Sequence, residues 1–194
     1  MKKIMFNDRY GLTEAVLDGR KTQTRRIAYK EPFKYYCNCG FCTEGKDKGR
    51  LFINDGNEIV AKSTYKIGEV VAVAQRYSDI PYIKELHPRI NTSEGWGNKM
   101  FVKSDLMPHQ IKITKIWCER LQYISTDDCM KEGIFCSHID GIDDAYSYDA
   151  TNDSFEKKWW YRTPIEAYKM LSCKLHLHWD ANPLVFVYDF KLVK

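Results

Sequence analysis

An α+β fold, short strands joined by a few short helices and long polar insertions, is what this sequence predicts, and three observations predict it. Residues 70–76, 111–116 and 184–192 have the apolar runs or period-two alternation of strands. Residues 12–18, 125–133 and 163–175 carry helix periodicity with start and stop signals. Between them lie stretches with neither pattern. At 194 residues the chain has the length of one domain with a substantial core, and a single domain spanning 1–194 is expected.

The first helix is expected over residues 12–18, where Leu12 and Val16 stand at i,i+4 beside Ala15 while Glu14 and Asp18 can face water. Gly19 occupies the place of a left-handed C-terminal cap. Directly behind it, residues 20–26 hold Arg20, Lys21, Arg25 and Arg26 together with the hydroxyls of Thr22 and Thr24. Lys21 and Thr24 have opposite parity, so a regular strand would send them to opposite faces, and irregular backbone is expected if both reach one pocket. On composition alone the cluster reads either as a solvated helix end or as a site.

Further along, residues 28–49 show no periodicity and read as an inserted loop. Within it Cys37, Cys39 and Cys42 form a C-x-C-x2-C cluster. A fourth ligand among Cys118, Cys129, Cys136, Cys173, His176 and His178 would complete a zinc site. The paired knuckles of a strong zinc signature are missing, so no metal is expected. Asn54-Asp55-Gly56-Asn57 between two apolar runs predicts a hairpin, and residues 66–69 predict a turn feeding the strand at 70–76, which ends on Gln75 and Arg76.

Residues 80–108 contain Pro81, Pro88 and Pro108 and should be loop-rich, before the alternating isoleucines of the strand at 111–116. Ser125 and Asp128 make a capping box for the next helix, which Gly133 ends, leaving Glu132 at a position where the helix dipole disfavours an anion. Residues 136–158 read as a solvated acidic loop. Thr163-Pro164-Ile165-Glu166 starts a helix with a Tyr168, Leu171, Leu175 stripe, and residues 184–192 form a closing strand.

Composition narrows the function classes. With 44% hydrophobic and 29% charged residues, the chain is ordinary globular protein. Its longest aliphatic run is strand-sized and its N-terminus lacks a signal-peptide core, so a cytoplasmic protein without a membrane partner is expected. An odd cysteine count of 7 predicts reduced thiols. The net charge of +4 permits an anionic ligand without requiring one.

The segment Gly19-Arg20-Lys21-Thr22-Gln23-Thr24-Arg25-Arg26 resembles the glycine-x-lysine signature, with its trailing arginine, that opens ASCH domains, relatives of the PUA RNA-binding fold. Residues 111–134 resemble that family's strand and its helix ending in glutamate-glycine. Trp179-Asp180-Ala181-Asn182-Pro183 and the aromatic strand after it look like the ending of longer ASCH-like proteins of bacteria and phages. The resemblance covers about half the chain and implies a PUA-like β-barrel with flanking short helices and insertions at about 28–65, 78–105 and 136–160.

It also implies two functions. An amidohydrolase of this superfamily removes the acetyl group of 4-acetylcytidine with a lysine, a threonine three positions later and a distant glutamate, places that Lys21, Thr24 and Glu132 occupy here as catalytic candidates. The fold also implies a module binding RNA, a nucleotide or a modified nucleoside, with Arg20, Arg25, Arg26, Arg76 and Trp179 as ligand-binding candidates and the 14% aromatic content as a source of stacking platforms; this nucleic-acid-related reading is the favoured expectation and the amidohydrolase its alternative. No cofactor is expected. The two classes stay open at this point.

Overall fold

The computed structural model describes residues 1–28, 39–41, 49–53, 58–139, 142–148 and 160–193. Five strands form one mixed sheet: β1 (Lys3–Ile4), β2 (Gln23–Ile27), β6 (Val70–Val73), β7 (Gln110–Arg120) and β10 (Leu184–Leu192), in the order β1-β6-β7-β10-β2. β1 runs parallel to β6, and the other pairs are antiparallel. A three-stranded sheet is made by β3 (Cys39–Phe41), β4 (Arg50–Ile53) and β5 (Glu58–Lys62), and β8 (Phe135–Ile139) pairs with β9 (Ile142–Ser147). The helices are α1 (Leu12–Leu17), α2 (Ile83–Leu86), α3 (Thr126–Lys131) and α4 (Pro164–Lys174).

Local signals account for the helices. In α1, Leu12, Ala15 and Val16 are buried and Glu14 is exposed, and Gly19 beyond it takes φ +81°. At α3 the Ser125 hydroxyl accepts from the Asp128 amide at 3.1 Å. The Asp128 carboxylate does not complete the expected capping box. It accepts instead from Gln23, Lys131 and Arg25, because those donors reach it from β2 and from the next helical turn. At α4 the Thr163 hydroxyl accepts from the Glu166 amide at 3.2 Å, and Tyr168 and Leu171 turn into the core.

The C-terminal strand does not close the sheet. β10 lies inside it, between β7 and β2, and this is why both of its faces are apolar: Leu184, Phe186 and Tyr188 bury one way, Val185 and Val187 the other. In β7 the isoleucines at 111, 113 and 116 break period two, and the ladder accommodates this. Asp189 pairs with Lys115 and Phe190 with Ile113, so Thr114 is an extra residue and Ile113 and Ile116 both stay buried. Among the described residues no ladder joins β1 to β2, so the sheet is open rather than a closed barrel.

Three further expectations change. The segment 28–49 is not all loop, since β3 lies in it and pairs with β4; Cys37 and Cys42 lie outside the described residues. The hairpin of β4 and β5 forms as expected, with its turn at 54–57 also outside them. The acidic stretch 136–158 contains most of β8 and all of β9, paired from Phe135 opposite Ser147, and Tyr146 bridges on to Tyr161. Alternation there was obscured by serine and aspartate on a short hairpin. The strand at 70–76 is shorter than expected and ends at Val73, where the chain turns into a segment of 3-10 turns packed on its own small core of Tyr77, Ile80, Ile83, Val102 and Met107. No described helix is long and apolar enough to cross a membrane.

Candidate functional site

The site is assembled at β2, an edge strand of the main sheet, where the turn after α1 meets the end of α3. Backbone bonds hold that turn: the Lys21 amide donates to the Ala15 carbonyl of α1 at 2.6 Å, the Thr22 amide to the Lys131 carbonyl of α3 at 2.9 Å, and the Phe190 amide of β10 to the Thr22 carbonyl at 2.9 Å. Regular pairing with β10 begins only at Gln23, opposite Asp189. The irregular backbone expected between Lys21 and Thr24 is therefore confined to Lys21 and Thr22, and it suffices to bring both side chains to one cavity.

That cavity has a volume of about 490 Å³. Lys21, Thr24 and Glu132 all line it, so the three catalytic candidates converge. Met5, Phe6, Leu12, Leu175 and Leu177 supply its apolar lining. Asn7, Asp8, Arg25, Arg26 and Lys99 make the polar remainder of the lining. The volume falls in the range of small-molecule sites.

Lys21 and Glu132 are 2% and 3% exposed, and their charged groups meet at 2.6 Å between Nζ and Oε2. Nζ also donates to the Glu132 main-chain carbonyl at 2.6 Å. The dipole argument against an anion at this helix end is thus overridden by two direct cationic partners, because Arg25 Nη1 donates to the other carboxylate oxygen at 3.1 Å. Burial pushes the Lys21 ammonium below the ordinary lysine range; attraction to Glu132 opposes this, and the nearby Arg26 and Arg25 charges add to it. A buried lysine tuned downward is the form in which an amine serves as a base.

Gly133 makes this approach possible. It has φ +104°, and a Cβ there would lie 3.2 Å from Leu12 Cδ2 and 3.7 Å from Lys21 Cβ. A residue without a side chain thus brings Glu132 onto Lys21 without backbone strain. On the other side, the Phe6 ring sits 5.8 Å from both Lys21 Nζ and Arg26, a position that receives cations on its face.

Thr24 is 4% exposed, and among the described residues its hydroxyl has no hydrogen-bond partner. It lies on the cavity wall as a free nucleophile-type group. Cys129, buried nearby in α3, is no rival, since burial pushes its thiol up to about 12.

The binding candidates separate. Arg26 is exposed, lines the cavity, and donates to the Met5 carbonyl at 2.7 Å. Arg25 turns its guanidinium away from solvent onto Glu119, Asp128 and Glu132, with a side-chain exposure of 0%. Arg20 is paired with Asp18 at 2.8 Å and Arg76 with Asp79 at 2.9 Å, both on the surface and neither on the cavity lining. Trp179 is core: it is 8% exposed and meets the Tyr168 ring edge-on at 6.2 Å.

Sequence reasoning missed Lys99 and Glu119. Lys99 reaches the cavity from the segment of 3-10 turns and is spent on structure, donating to Asp8 at 2.6 Å, to Thr13 at 3.2 Å and to the Phe6 carbonyl. Together with Arg26 it pins the 5–8 segment that forms one wall. No sequence signal marks it. Glu119 could have been sought as the partner that a buried arginine on an edge strand requires.

Among the described residues no group of three histidine, cysteine, aspartate or glutamate side chains is placed to hold a metal ion. Comparison of the chain with protein-family models, with curated proteins and with solved structures gives no match to any of them.

Proposed function

We propose that this is an amidohydrolase with a PUA-like, ASCH-type domain, acting on a modified nucleoside of the 4-acetylcytidine kind. The single observation that carries the proposal is the convergence of Lys21, Thr24 and Glu132 on one cavity of small-molecule size. In the reaction, neutral Lys21 takes the Thr24 hydroxyl proton as Oγ attacks the acyl carbonyl. The proton then passes to the departing nucleobase nitrogen as the C–N bond breaks. Water attacks the resulting threonine ester, with Lys21 again accepting a proton, and releases acetate. Glu132 holds the lysine in place and stabilises its ammonium form between these transfers. The apolar wall of Leu12, Leu175 and Leu177 is suited to an acyl group.

The test is release of cytidine from 4-acetylcytidine by the purified protein. Because Lys21 must be neutral to act, and its burial lowers its affinity for a proton, the rate is expected to rise with pH and level off below the ordinary lysine value of 10.5. A rate flat across the neutral and alkaline range, or no cytidine at all, would count against the proposal.

A second reading, recognition of RNA or a nucleotide without chemistry, is favoured by the exposed guanidinium of Arg26 on the rim. Under it, Arg26→Ala weakens binding and reduces the salt slope by about one counterion. Titrations of a nucleotide and of a short RNA at several salt concentrations check this. An unchanged slope removes Arg26 from contact with phosphate.

A further inference from the structure

The most densely paired group beside the cavity is one that the catalytic scheme leaves unused. Arg25 follows Thr24 on β2 and, like it, contributes to the cavity lining, while its guanidinium reaches Asp128 of α3 and Tyr168 of α4. Its guanidinium donates through Nε and Nη2 to Glu119 Oε1 at 3.1 and 2.7 Å, through Nη1 to Glu132 Oε1 at 3.1 Å, and also to the Gln23 side-chain oxygen. Asp128 lies 3.4 Å from Nη2, and the Tyr168 ring covers the group at 6.0 Å. Gln23 is itself fixed by Asp189 at 2.8 Å.

Glu132 bridges the two cations, with Oε1 on Arg25 and Oε2 on Lys21. We propose that Arg25 is a positioning residue for the Lys21–Glu132 pair, clamping one carboxylate oxygen so that the other is presented to the lysine. This deepens the amidohydrolase reading and rests on it for its catalytic meaning. The consequence is electrostatic. A carboxylate shared between two cations holds each less firmly than it would hold one, so Arg25 keeps Lys21 able to give up its proton. The charges around Lys21 are Glu132 from the end of α3, Arg25 and Arg26 from β2, and Asp8 and Lys99 on the lining of the same cavity. Glu119 acts on the lysine only through Arg25, by taking part of the guanidinium's attraction away from Glu132.

The test reads the lysine directly, without substrate. Protein labelled with 13C at the lysine ε-carbons is titrated by NMR, and the Lys21 signal is assigned by its loss in Lys21→Met. In Arg25→Met, Glu132 belongs to Lys21 alone, and the lysine is expected to bind its proton at least tenfold more tightly than in wild type. Arg25→Lys, which restores the charge, should bring it back to within about threefold of wild type. Glu119→Gln should move the midpoint the other way, by at least twofold, because the freed guanidinium draws more on Glu132. If Arg25→Met does not fold, Glu119→Gln decides. A Lys21 midpoint unmoved in Glu119→Gln, or unmoved or lowered in a folded Arg25→Met, overturns the proposal. A wild-type protein that hydrolyses nothing while the midpoints move as stated removes the amidohydrolase reading and leaves the role of Arg25 standing.

Discussion

Thr24→Ala is expected to lower the rate of 4-acetylcytidine hydrolysis by at least about 10³-fold, because a methyl group cannot form the acyl ester and what remains is binding and polarisation of the substrate. The fold should survive. Thr24 sits on an edge strand, pairs through its backbone with Tyr188, and among the described residues makes no side-chain hydrogen bond. Its loss should therefore cost only about 1 kcal/mol, the span of strand propensity. Thr24→Ser keeps the hydroxyl and should retain measurable turnover. The measurement is cytidine release at saturating substrate, with thermal unfolding followed in parallel. Full activity in Thr24→Ala would sink the nucleophile assignment even if the protein is a hydrolase, because Lys21 could then be activating water directly.

Gly133→Ala is expected to destabilise the protein by about 1–3 kcal/mol, as a side chain is forced into a backbone region that only glycine occupies without strain. Its φ of +104° is the source of that strain, and Leu12, only 3.2 Å from the added Cβ, must also give way. The effect on function should exceed the effect on stability. The same Cβ lies 3.7 Å from Lys21, and the next residue back is Glu132, so any relaxation moves the two members of the buried ion pair apart. Misplacement by about 1 Å commonly costs on the order of 10²-fold in rate. Urea unfolding and hydrolysis of 4-acetylcytidine by the same preparation separate the two effects. A variant as stable and as active as wild type would show that the close approach of Gly133 to Lys21 does not matter.

Both predictions concern residues that can be picked out in the sequence, but for different reasons. Gly133 was visible as a helix stop. Its closeness to Lys21 was not, since the two are brought together by the packing of α3 against the turn after α1. Apart from the family resemblance, Glu132 was visible as an anion in an unfavourable place. The structure supplies the reason for its being there: two cations from β2 and the turn before it outweigh a helix-dipole penalty of a few tenths of a kcal/mol.

By itself the sequence determined what depends on neighbours along the chain. The caps at Gly19, Ser125 and Thr163, the apolar faces of α1 and α4, and the strand patterns of β7 and β10 all come from residues within one or two helical turns or one strand, where local sterics and hydrogen bonding decide the conformation. Only the tertiary structure decided what depends on sheet order. It placed β10 inside the sheet, turned Arg25 onto Glu119 across 94 positions of chain, and brought Lys99 to the cavity from a segment with no pattern of its own. Such contacts are set by which strands lie side by side and in what register. Periodicity tells which face of a strand is apolar, but the charged residue that a buried arginine meets is selected by the neighbouring elements that the sheet sets against it.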